Sequence, residues 1–387
     1  MKDYTEDCLR ESIKLLKENS TKFGTLASAP SGTAKARNYA SIFGRDASIC
    51  AMGMAVSGDK SLKMSARRSL ETLAKYQADN GQIAFWVKPE KKQSDFYYLG
   101  CIDSTLWWLI ALKFYDQNTG ENLSKKFSKK IKLAINWLEC QEHPKFYLLQ
   151  QNEASDWADR MPRSGFVLYS NALWYWVKTL YKLKNTDKTK EYFNYMLDGN
   201  LKLPIEIARS NTHLKTLRTS IDQNKNNPTY VSFVNYSYAG HEIDIFGNIL
   251  ACLVGLADEK KTKQIIKYFI NKKANDPWPI KSVLKPIKKG DKLWRKYMDL
   301  HSGTNNRPGQ YHNGAIWPFI GGFWALLLNM VGNDLVESEL LKLAKLNARS
   351  DWQFNEWFDG KSSKVLGMPR QSWNAATYIL AYKNLNN

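Results

Sequence analysis

The spacing of apolar residues follows the helical period along almost the whole chain. Apolar side chains recur at intervals of three and four residues, as one face of an α-helix requires. Twelve segments show this pattern: Thr5 to Lys17, Ala47 to Val56, Leu62 to Ala78, Thr105 to Tyr115, Leu123 to Cys140, Asn171 to Leu183, Lys188 to Leu197, Ile245 to Leu256, Lys260 to Asn271, Gly314 to Met330, Leu335 to Asn347 and Trp373 to Tyr382. Short turns such as Val56 to Ser61 and Val331 to Leu335 join several neighbours, which is typical of helical hairpins. Six hairpins predict an all-α fold, the (α/α)6 toroid.

Four connections between these helices are long and rich in Trp, Asp, Asn, Gly and Pro. They cover residues 81–103, 141–170, 279–313 and 350–372. Loops of this length are often functional, and we expect them to form a pocket at one end of the toroid. Residues 201–240 instead predict a polar insertion or a small hairpin. No domain boundary is evident, so we expect residues 1–387 to form a single domain.

Charge and cysteine usage exclude several classes of protein. The 56 Lys and Arg against 37 Asp and Glu leave a net charge of +19, but the lysines are dispersed and no nucleic-acid-binding motif is present. The polar N-terminus and the lack of an apolar run of about 18 residues predict a cytoplasmic protein without a membrane partner. Five widely spaced cysteines predict reduced thiols, and five histidines without zinc-site spacing predict no metal or other cofactor. The oligomeric state stays open.

Aromatic residues are abundant and often have polar neighbours. The chain has 14 Trp, 20 Tyr and 16 Phe, and many of the tryptophans stand beside Asp, Glu, Asn or His. A sugar pocket uses this mixture, because sugar C–H faces stack on rings while hydroxyl groups need polar partners. A large core also contains many aromatics, so the motifs must decide between the two interpretations.

The strongest motif is the segment EASDWADRMPRSG, which begins at Glu153. It places Asp156 and Asp159 beside Trp157 and upstream of Arg163. A further carboxylate, Glu356, lies in the aromatic segment WQFNEWFDGK. Two carboxylates are the usual apparatus for hydrolysing a glycosidic bond, so the pair predicts a glycoside hydrolase.

Two other acids stand at the starts of predicted helices. Asp46 follows Arg45 in IFGRDAS, and Asp103 precedes Trp107 in CIDSTLWW. Each carboxylate suits an N-cap role, in which it accepts hydrogen bonds from backbone amides. Each also suits the binding of sugar hydroxyl groups by charge-assisted hydrogen bonds, and both interpretations stay open.

Two further segments place polar and aromatic residues together. QYHNGAIWP contains Gln310, His312 and Trp317, and GMPRQSWNAATY contains Gln371 and Trp373. A single histidine of this kind is more often a hydrogen-bonding residue than a base or a metal ligand.

The motifs FGRD, DSTLWW, SDWADRMPRSG with LYSNALWY, QYHNGAIWP and NEWFDGK with GMPRQSWNAATY occur in an order that resembles the (α/α)6 glycoside hydrolases. The chain looks most like the glucosidase domain of glycogen debranching enzymes. It is also similar to alkaline/neutral invertases, trehalases and processing α-glucosidase I. The resemblance covers about residues 39–382.

The resemblance implies a carbohydrate substrate and a role for each matched residue. Asp159 matches the general acid and Glu356 the general base. One extra residue separates Trp157 from Asp159, so Asp156 stays an alternative for the acid. The residues implied to bind the substrate are Arg45, Asp46, Asp103, Trp107, Asp156, Trp157, Arg163, Gln310, His312, Trp317, Gln371 and Trp373.

These roles imply an inverting hydrolysis of an α-glucosidic bond in a small glucoside or an α-glucan. Inversion requires carboxyl groups roughly 6.5–9.5 Å apart, so that a water molecule fits between base and sugar. An invertase-like sucrose hydrolase is one alternative, although PRSGFVLYSN replaces the His-rich segment that follows the acid in invertases. A non-catalytic sugar-binding relative is the other. An isomerase is disfavoured, because such enzymes on this fold usually depend on pairs of catalytic histidines.

Overall fold

The computed structural model describes residues 3–96, 101–201, 211–236, 238–299 and 306–386. The chain divides into two compact units. The first unit contains residues 1–137, 275–280 and 316–387, and the second contains residues 138–274 and 281–315. Helices dominate, and the strands are two or three residues long. The predicted all-α class is therefore confirmed, while the single domain over residues 1–387 stays a prediction.

The first unit contains most of the helices. They are Tyr4–Glu18, Gly32–Ala36, Gly44–Val56, Lys60–Lys75, Ile102–Thr119, Leu123–Lys126, Ser128–Glu139 (in which the chain leaves this unit), Pro318–Met330, Val336–Arg349 and Ser372–Leu385, with a 3-10 turn at Pro89–Lys91. Its antiparallel strands are Ser20–Thr21 with Gly24–Thr25, Ile42–Phe43 with Trp86–Lys88 and Gln93–Asp95, and Trp357–Phe358 with Val365–Leu366.

Two kinds of helix make up this unit. Lys60–Lys75 buries one face, with Leu62, Ala66, Leu70 and Leu73 at helical spacing, as a helix on a surface does. Gly44–Val56 is buried on all sides from Gly44 to Ala55, because small and apolar residues occupy every face. It packs against Lys60–Lys75, Ile102–Thr119 and Ser372–Leu385.

A glycine allows one of these close approaches. A Cβ atom at Gly53 would collide with the backbone carbonyl of Ala376 in the helix Ser372–Leu385. A larger residue at this position would force the two helices apart.

Some helices of this unit begin with a side-chain cap and others do not. Asp3 and Asp59 cap the surface helices that follow them by accepting hydrogen bonds from backbone amides. The buried helices Gly44–Val56, Ile102–Thr119 and Ser372–Leu385 begin without a side-chain cap. The predicted N-cap role of Asp46 and Asp103 is therefore wrong, because Phe43 and Cys101 occupy the N-cap positions and both acids lie inside the first helical turn.

The second unit has fewer helices. They are Leu168–Tyr181, Thr186–Leu197, Asn211–Asp222, Ile245–Leu253 and Glu259–Asn271, with a 3-10 turn at Lys296–Met298. The strands Phe166–Val167 and Phe233–Val234 pair in antiparallel fashion. Ile245–Leu253 packs against Leu168–Tyr181, which also packs against Thr186–Leu197.

Most of the predicted helices are present with small shifts at their ends. The helix predicted from Gly314 begins at Pro318, because Ile316 pairs with Phe358 and proline suits the first turn of a helix. The helix predicted over Leu123 to Cys140 is interrupted at Phe127.

The predicted insertion at residues 201–240 lies partly outside the described residues, at 202–210 and 237. Its described part contains the helix Asn211–Asp222, which the sequence interpretation treated as a polar stretch. Leu217 and Ile221 are buried in this helix at i, i+4 spacing, and the polar residues between them hide the pattern.

Candidate active site

In the first unit, a charge cluster joins the first turns of two buried helices. Arg45 Nη1 donates a hydrogen bond to Asp103 Oδ2 at 2.9 Å, and Arg45 Nε lies 3.7 Å from Asp46 Oδ2. The guanidinium carbon of Arg45 lies 5.9 Å from the ring centres of both Phe85 and Trp373. Rings and carboxylates beside a fixed cation form a surface that suits sugar C–H faces and hydroxyl groups.

The carboxyl group of Asp46 is electrostatically perturbed. Burial raises its pKa to about 6; Arg45 lowers the pKa and the negative charge of Asp103 raises it. Asp46 therefore exchanges its proton within the range in which many glycosidases work.

Two predicted tryptophans pack together in the first unit. Trp317 lies edge-on to Trp373 with ring centres 6.0 Å apart, and Trp373 stacks on Phe319 at 4.0 Å. Trp107 is fully buried and packs against Phe323. The structure thus places Trp373 beside Arg45, whereas Trp107 lies in the core.

Glu356 lies at the start of the strand Trp357–Phe358. Glu356 is 6% exposed. Its Oε1 accepts a hydrogen bond from Tyr39 Oη at 2.7 Å, and its Oε2 accepts one from the backbone amide of Met368 at 3.1 Å. The backbone amide of Glu356 in turn donates to the carbonyl of Met368 at 2.8 Å. These contacts hold the carboxylate in one orientation.

Gln371 is fully enclosed in the first unit. It has no exposed surface, and its amide nitrogen and oxygen have no hydrogen-bond partner among the described residues. Its backbone amide donates to the carbonyl of Phe354. The backbone thereby ties the start of the helix Ser372–Leu385 to the segment that precedes Glu356.

In the second unit, the two candidate acids differ in exposure. Asp156 is 2% exposed, and its oxygens accept hydrogen bonds from the Ala158 amide at 2.8 Å and from Gln151 Nε2 at 3.0 Å. The side chain of Asp159 keeps 29% of its surface exposed and lies 3.8 Å from His312 Nδ1. Asp156 thus shapes the loop, and Asp159 presents its carboxyl group to solvent.

Aromatic residues support the loop around Asp159. Trp157 is buried and contacts Phe246 and His312 edge-on, with ring centres 5.9 and 5.0 Å apart. Tyr311 stacks on His312 at 3.8 Å. Gln310 is half-buried in the adjoining turn, where its carbonyl accepts from the Asn313 amide.

Arg163 is 1% exposed and belongs to a buried ion cluster. Its Nη1 donates to Asp244 Oδ2 at 3.0 Å, and its Nε lies 3.5 Å from Glu242 Oε1. Burial raises the pKa of Asp244 to about 6, against the opposing effect of the Arg163 guanidinium. The structure therefore ties Arg163 to the segment before the helix Ile245–Leu253.

Sequence reasoning missed Tyr39, Glu242 and Asp244. No local pattern marks Tyr39, because its partner Glu356 lies 317 positions later. Glu242 and Asp244 do leave a signal, since GHEIDIFGN places two acids directly before a strongly apolar helix.

Part of the chain is similar to a known protein family. The sequence profile of a family described as alkaline and neutral invertase matches residues 239–387. The mitochondrial alkaline/neutral invertase C of Arabidopsis thaliana is 23% identical over 356 residues, which cover 80% of this chain and 52% of the invertase. The chain spans about half the length of the curated relatives that it matches.

Solved structures match the fold over nearly the whole chain. The GH63 mannosylglycerate hydrolase from Thermus thermophilus, in complex with Tris and D-glycerate, has a TM-score of 0.66 and 12% identity. The match covers 96% of this chain and 99% of the hydrolase. The fold is that of the (α/α)6 glycosidases. The resemblance indicated by the motifs is thus confirmed.

A bacterial glucoamylase complexed with acarbose shares this fold. It has a TM-score of 0.55 and 13% identity, and the match covers all of this chain and 56% of the glucoamylase. At these identities the two solved structures show a shared fold.

Membrane-spanning helices and groups of metal-ligating side chains are both absent from the described ranges. None of the helices there combines the length and apolarity that crossing a bilayer demands. No group of three or more His, Cys, Asp or Glu side chains in the same ranges could hold a metal ion.

Proposed function

We propose that the protein hydrolyses an α-glucosidic bond of a small glucoside or an α-glucan, with inversion at the anomeric carbon. Glu356 carries the proposal. Its carboxylate is nearly buried, yet Tyr39 and Met368 hold both oxygens. A general base needs a fixed direction toward the water that it activates, and these two donors supply one.

Asp159 is proposed as the general acid. An acid must reach the glycosidic oxygen, and Asp159 has the exposed side chain while the oxygens of Asp156 accept bonds from its own loop. We therefore assign the acid role to Asp159 rather than to Asp156, despite the extra residue that separates Trp157 from Asp159. His312 Nδ1 lies 3.8 Å from Asp159 Oδ1.

Arg45, Asp46 and Asp103 are proposed to bind the sugar in the cleavage subsite. Arg45 lies between the two carboxylates, and the Trp373 ring lies beside its guanidinium. Charged groups that are fixed before binding lose little entropy when they accept or donate hydrogen bonds to sugar hydroxyl groups.

Sucrose is the second candidate substrate. The invertase profile covers residues 239–387, which include Glu356, and sucrose is itself an α-glucoside. The segment PRSGFVLYSN after Asp159 still departs from the invertase pattern. An assay with sucrose and with other small glucosides is therefore needed to distinguish the two candidate substrates.

The decisive experiment is proton NMR of the protein with sucrose, maltose, isomaltose, trehalose and glucosylglycerate. Initial release of β-glucose from one α-linked member supports inversion and identifies the substrate. For sucrose and glucosylglycerate, which release a single glucose, initial α-glucose contradicts inversion. Maltose, isomaltose and trehalose also release a leaving-group glucose, so for them an excess of the α anomer over the amount that this second glucose contributes contradicts inversion. If no member is cleaved but saturable binding is measured, the non-catalytic sugar-binding alternative replaces the hydrolase.

Variants test the assignment of the two carboxylates. Asp159→Asn and Glu356→Gln should each lower kcat by about 10²- to 10⁴-fold, the usual contribution of a general acid or base. Glu153→Gln is a matched control, because Glu153 lies on the same loop as Asp159 but pairs with Arg295. Full activity in Asp159→Asn, with loss in Asp156→Asn, would transfer the acid role to Asp156.

The predicted cytoplasmic location stays a prediction. The matched plant relatives are named as mitochondrial and chloroplastic proteins. Fractionation of the native host cells, followed by antibody detection, tests it directly.

A further inference from the structure

Tyr236 differs from the other exposed apolar side chains of the described chain. It is 78% exposed, whereas the next most exposed large apolar residue, Met330, is 51% exposed. Single exposed apolar residues are common and need no explanation. An almost fully exposed ring, however, becomes informative when its orientation is fixed.

His213 fixes the ring of Tyr236. The two rings stack with centres 4.3 Å apart and an angle of 17° between their planes. His213 Nε2 also lies 3.0 Å from the backbone oxygen of Tyr236, within hydrogen-bond distance. One face of the tyrosine ring therefore rests on His213, and its exposed surface lies on the side away from the imidazole.

The segment that carries Tyr236 is joined to the loop that carries Asp159. Phe233–Val234 pairs with Phe166–Val167, and Asn235 Nδ2 lies 3.3 Å from Ser164 Oγ. Ser164 follows Asp159 by five positions, which span at most roughly 18 Å. Tyr236 and the proposed acid thus belong to segments of the same unit that contact each other.

We propose that Tyr236, stacked on His213, is the platform of a subsite for the leaving-group sugar of an oligosaccharide. The proposal rests on the proposed function, in which Asp159 protonates the oxygen of the leaving group. Groups beside the acid therefore face the leaving group rather than the glucosyl residue that is released. The amide of Asn235, which precedes Tyr236 in the sequence, and the hydroxyl of Ser164 are half-buried and can bind sugar hydroxyl groups.

The chemistry of the platform suits a sugar. The C–H face of a pyranose packs on a flat ring, and a ring that is already ordered loses little entropy on binding. Stacking tolerates different linkages, so the subsite determines chain length more than linkage. We expect longer substrates to gain affinity from Tyr236 and glucose to gain none.

Calorimetric titration of the Asp159→Asn protein tests the subsite without hydrolysis of the ligand. The probes are glucose, maltotriose, isomaltotriose and raffinose. Tyr236→Ala should weaken binding of the best trisaccharide about three- to tenfold, the usual value of an aromatic contact. Tyr236→Phe should bind like the parent, because it keeps the ring, and Met330→Ala is the matched control at another exposed apolar position.

The outcomes separate the two proposals. Trisaccharide binding that does not change in Tyr236→Ala overturns the subsite and leaves the proposed function intact. An equal loss for glucose and trisaccharide also overturns it, since the ring then acts on the whole site. Absence of trisaccharide binding in the Asp159→Asn parent overturns the subsite, while the NMR assay decides the proposed function separately.

Discussion

Each unit of the molecule holds an arginine between two buried carboxylates. In the first unit Arg45 contacts Asp46 and Asp103, and in the second Arg163 contacts Asp244 and Glu242. Burial raises the pKa of one aspartate in each cluster, Asp46 and Asp244, to about 6. Charge composition and pKa therefore do not distinguish the two clusters.

Exposure and neighbours do distinguish them. The side chains of Arg45 and Asp46 keep 8% and 9% of their surface exposed, and aromatic rings lie beside the guanidinium. Arg163 and Glu242 keep 1% each. A perturbed pKa is thus a weak indicator of function here, and the remaining accessible surface is the stronger one. We infer that the Arg45 cluster binds ligand and that the Arg163 cluster holds a loop.

Removal of Arg163 is expected to have the largest effect on stability. Arg163→Met leaves Asp244 and Glu242 buried without their cation, which should lower the free energy of unfolding by about 3–5 kcal/mol. Arg295→Met in the same unit is the matched control. Its pair with Glu153 is about one-third exposed, so we expect a loss of about 1 kcal/mol or less. Equal midpoints of urea unfolding for the two variants would contradict the structural role of Arg163.

The second prediction concerns pH and stability at Asp244. Because the pKa of Asp244 is raised in the folded state, this state binds more protons than the unfolded chain between about pH 4 and 6. Relative to Asp244→Asn, the wild type should gain about 2 kcal/mol of stability as the pH falls from 7 to 4.5. Urea unfolding at both pH values measures the gain.

Asp46→Asn provides the corresponding test in the first unit. The pKa of Asp46 is also raised to about 6, so the two variants should remove pH-dependent contributions of similar size. A pH dependence that survives both substitutions would show that other groups cause it.

The sequence predicts the helices of both clusters better than it predicts their contacts. Apolar spacing places the helices that begin at Gly44 and Ile245 within a few residues, because burial of a helix face is a local property of the sequence. The position of Asp46 inside the first turn, rather than at the N-cap, depends on tertiary packing. Phe43 belongs to a strand that pairs with Trp86, and this pairing determines where the helix begins.

The ion pairs themselves leave no local pattern. Arg163 reaches Asp244 across 81 positions, and Tyr39 reaches Glu356 across 317. An arginine near an acid and an aromatic residue therefore predicts substrate binding equally for Arg45 and Arg163. Only the folded chain shows that Arg163 is enclosed.

Tyr39 extends the comparison to Glu356, the proposed general base. Tyr39→Phe removes the donor to Glu356 Oε1, which should lower kcat about three- to tenfold, the value of roughly one hydrogen bond. KM should change less, because the substrate does not depend on this hydroxyl group. Tyr115→Phe is the matched control, since Tyr115 donates to Glu121 at 2.9 Å in the same unit. A similar loss of kcat in both variants would indicate a general effect on the fold.

The smallest expected effect is a displacement of the pH profile by Asp103→Asn. The negative charge of Asp103 raises the pKa of Asp46, so its removal should lower that pKa. If ionised Asp46 binds the sugar, kcat/KM falls as the pH drops through this pKa. The acid side of the profile should therefore move to lower pH in Asp103→Asn, although overall activity falls.

Asp244→Asn should leave that side in place, because Asp244 belongs to the other cluster. A profile that moves in Asp244→Asn and stays fixed in Asp103→Asn would reverse the roles assigned to the two clusters.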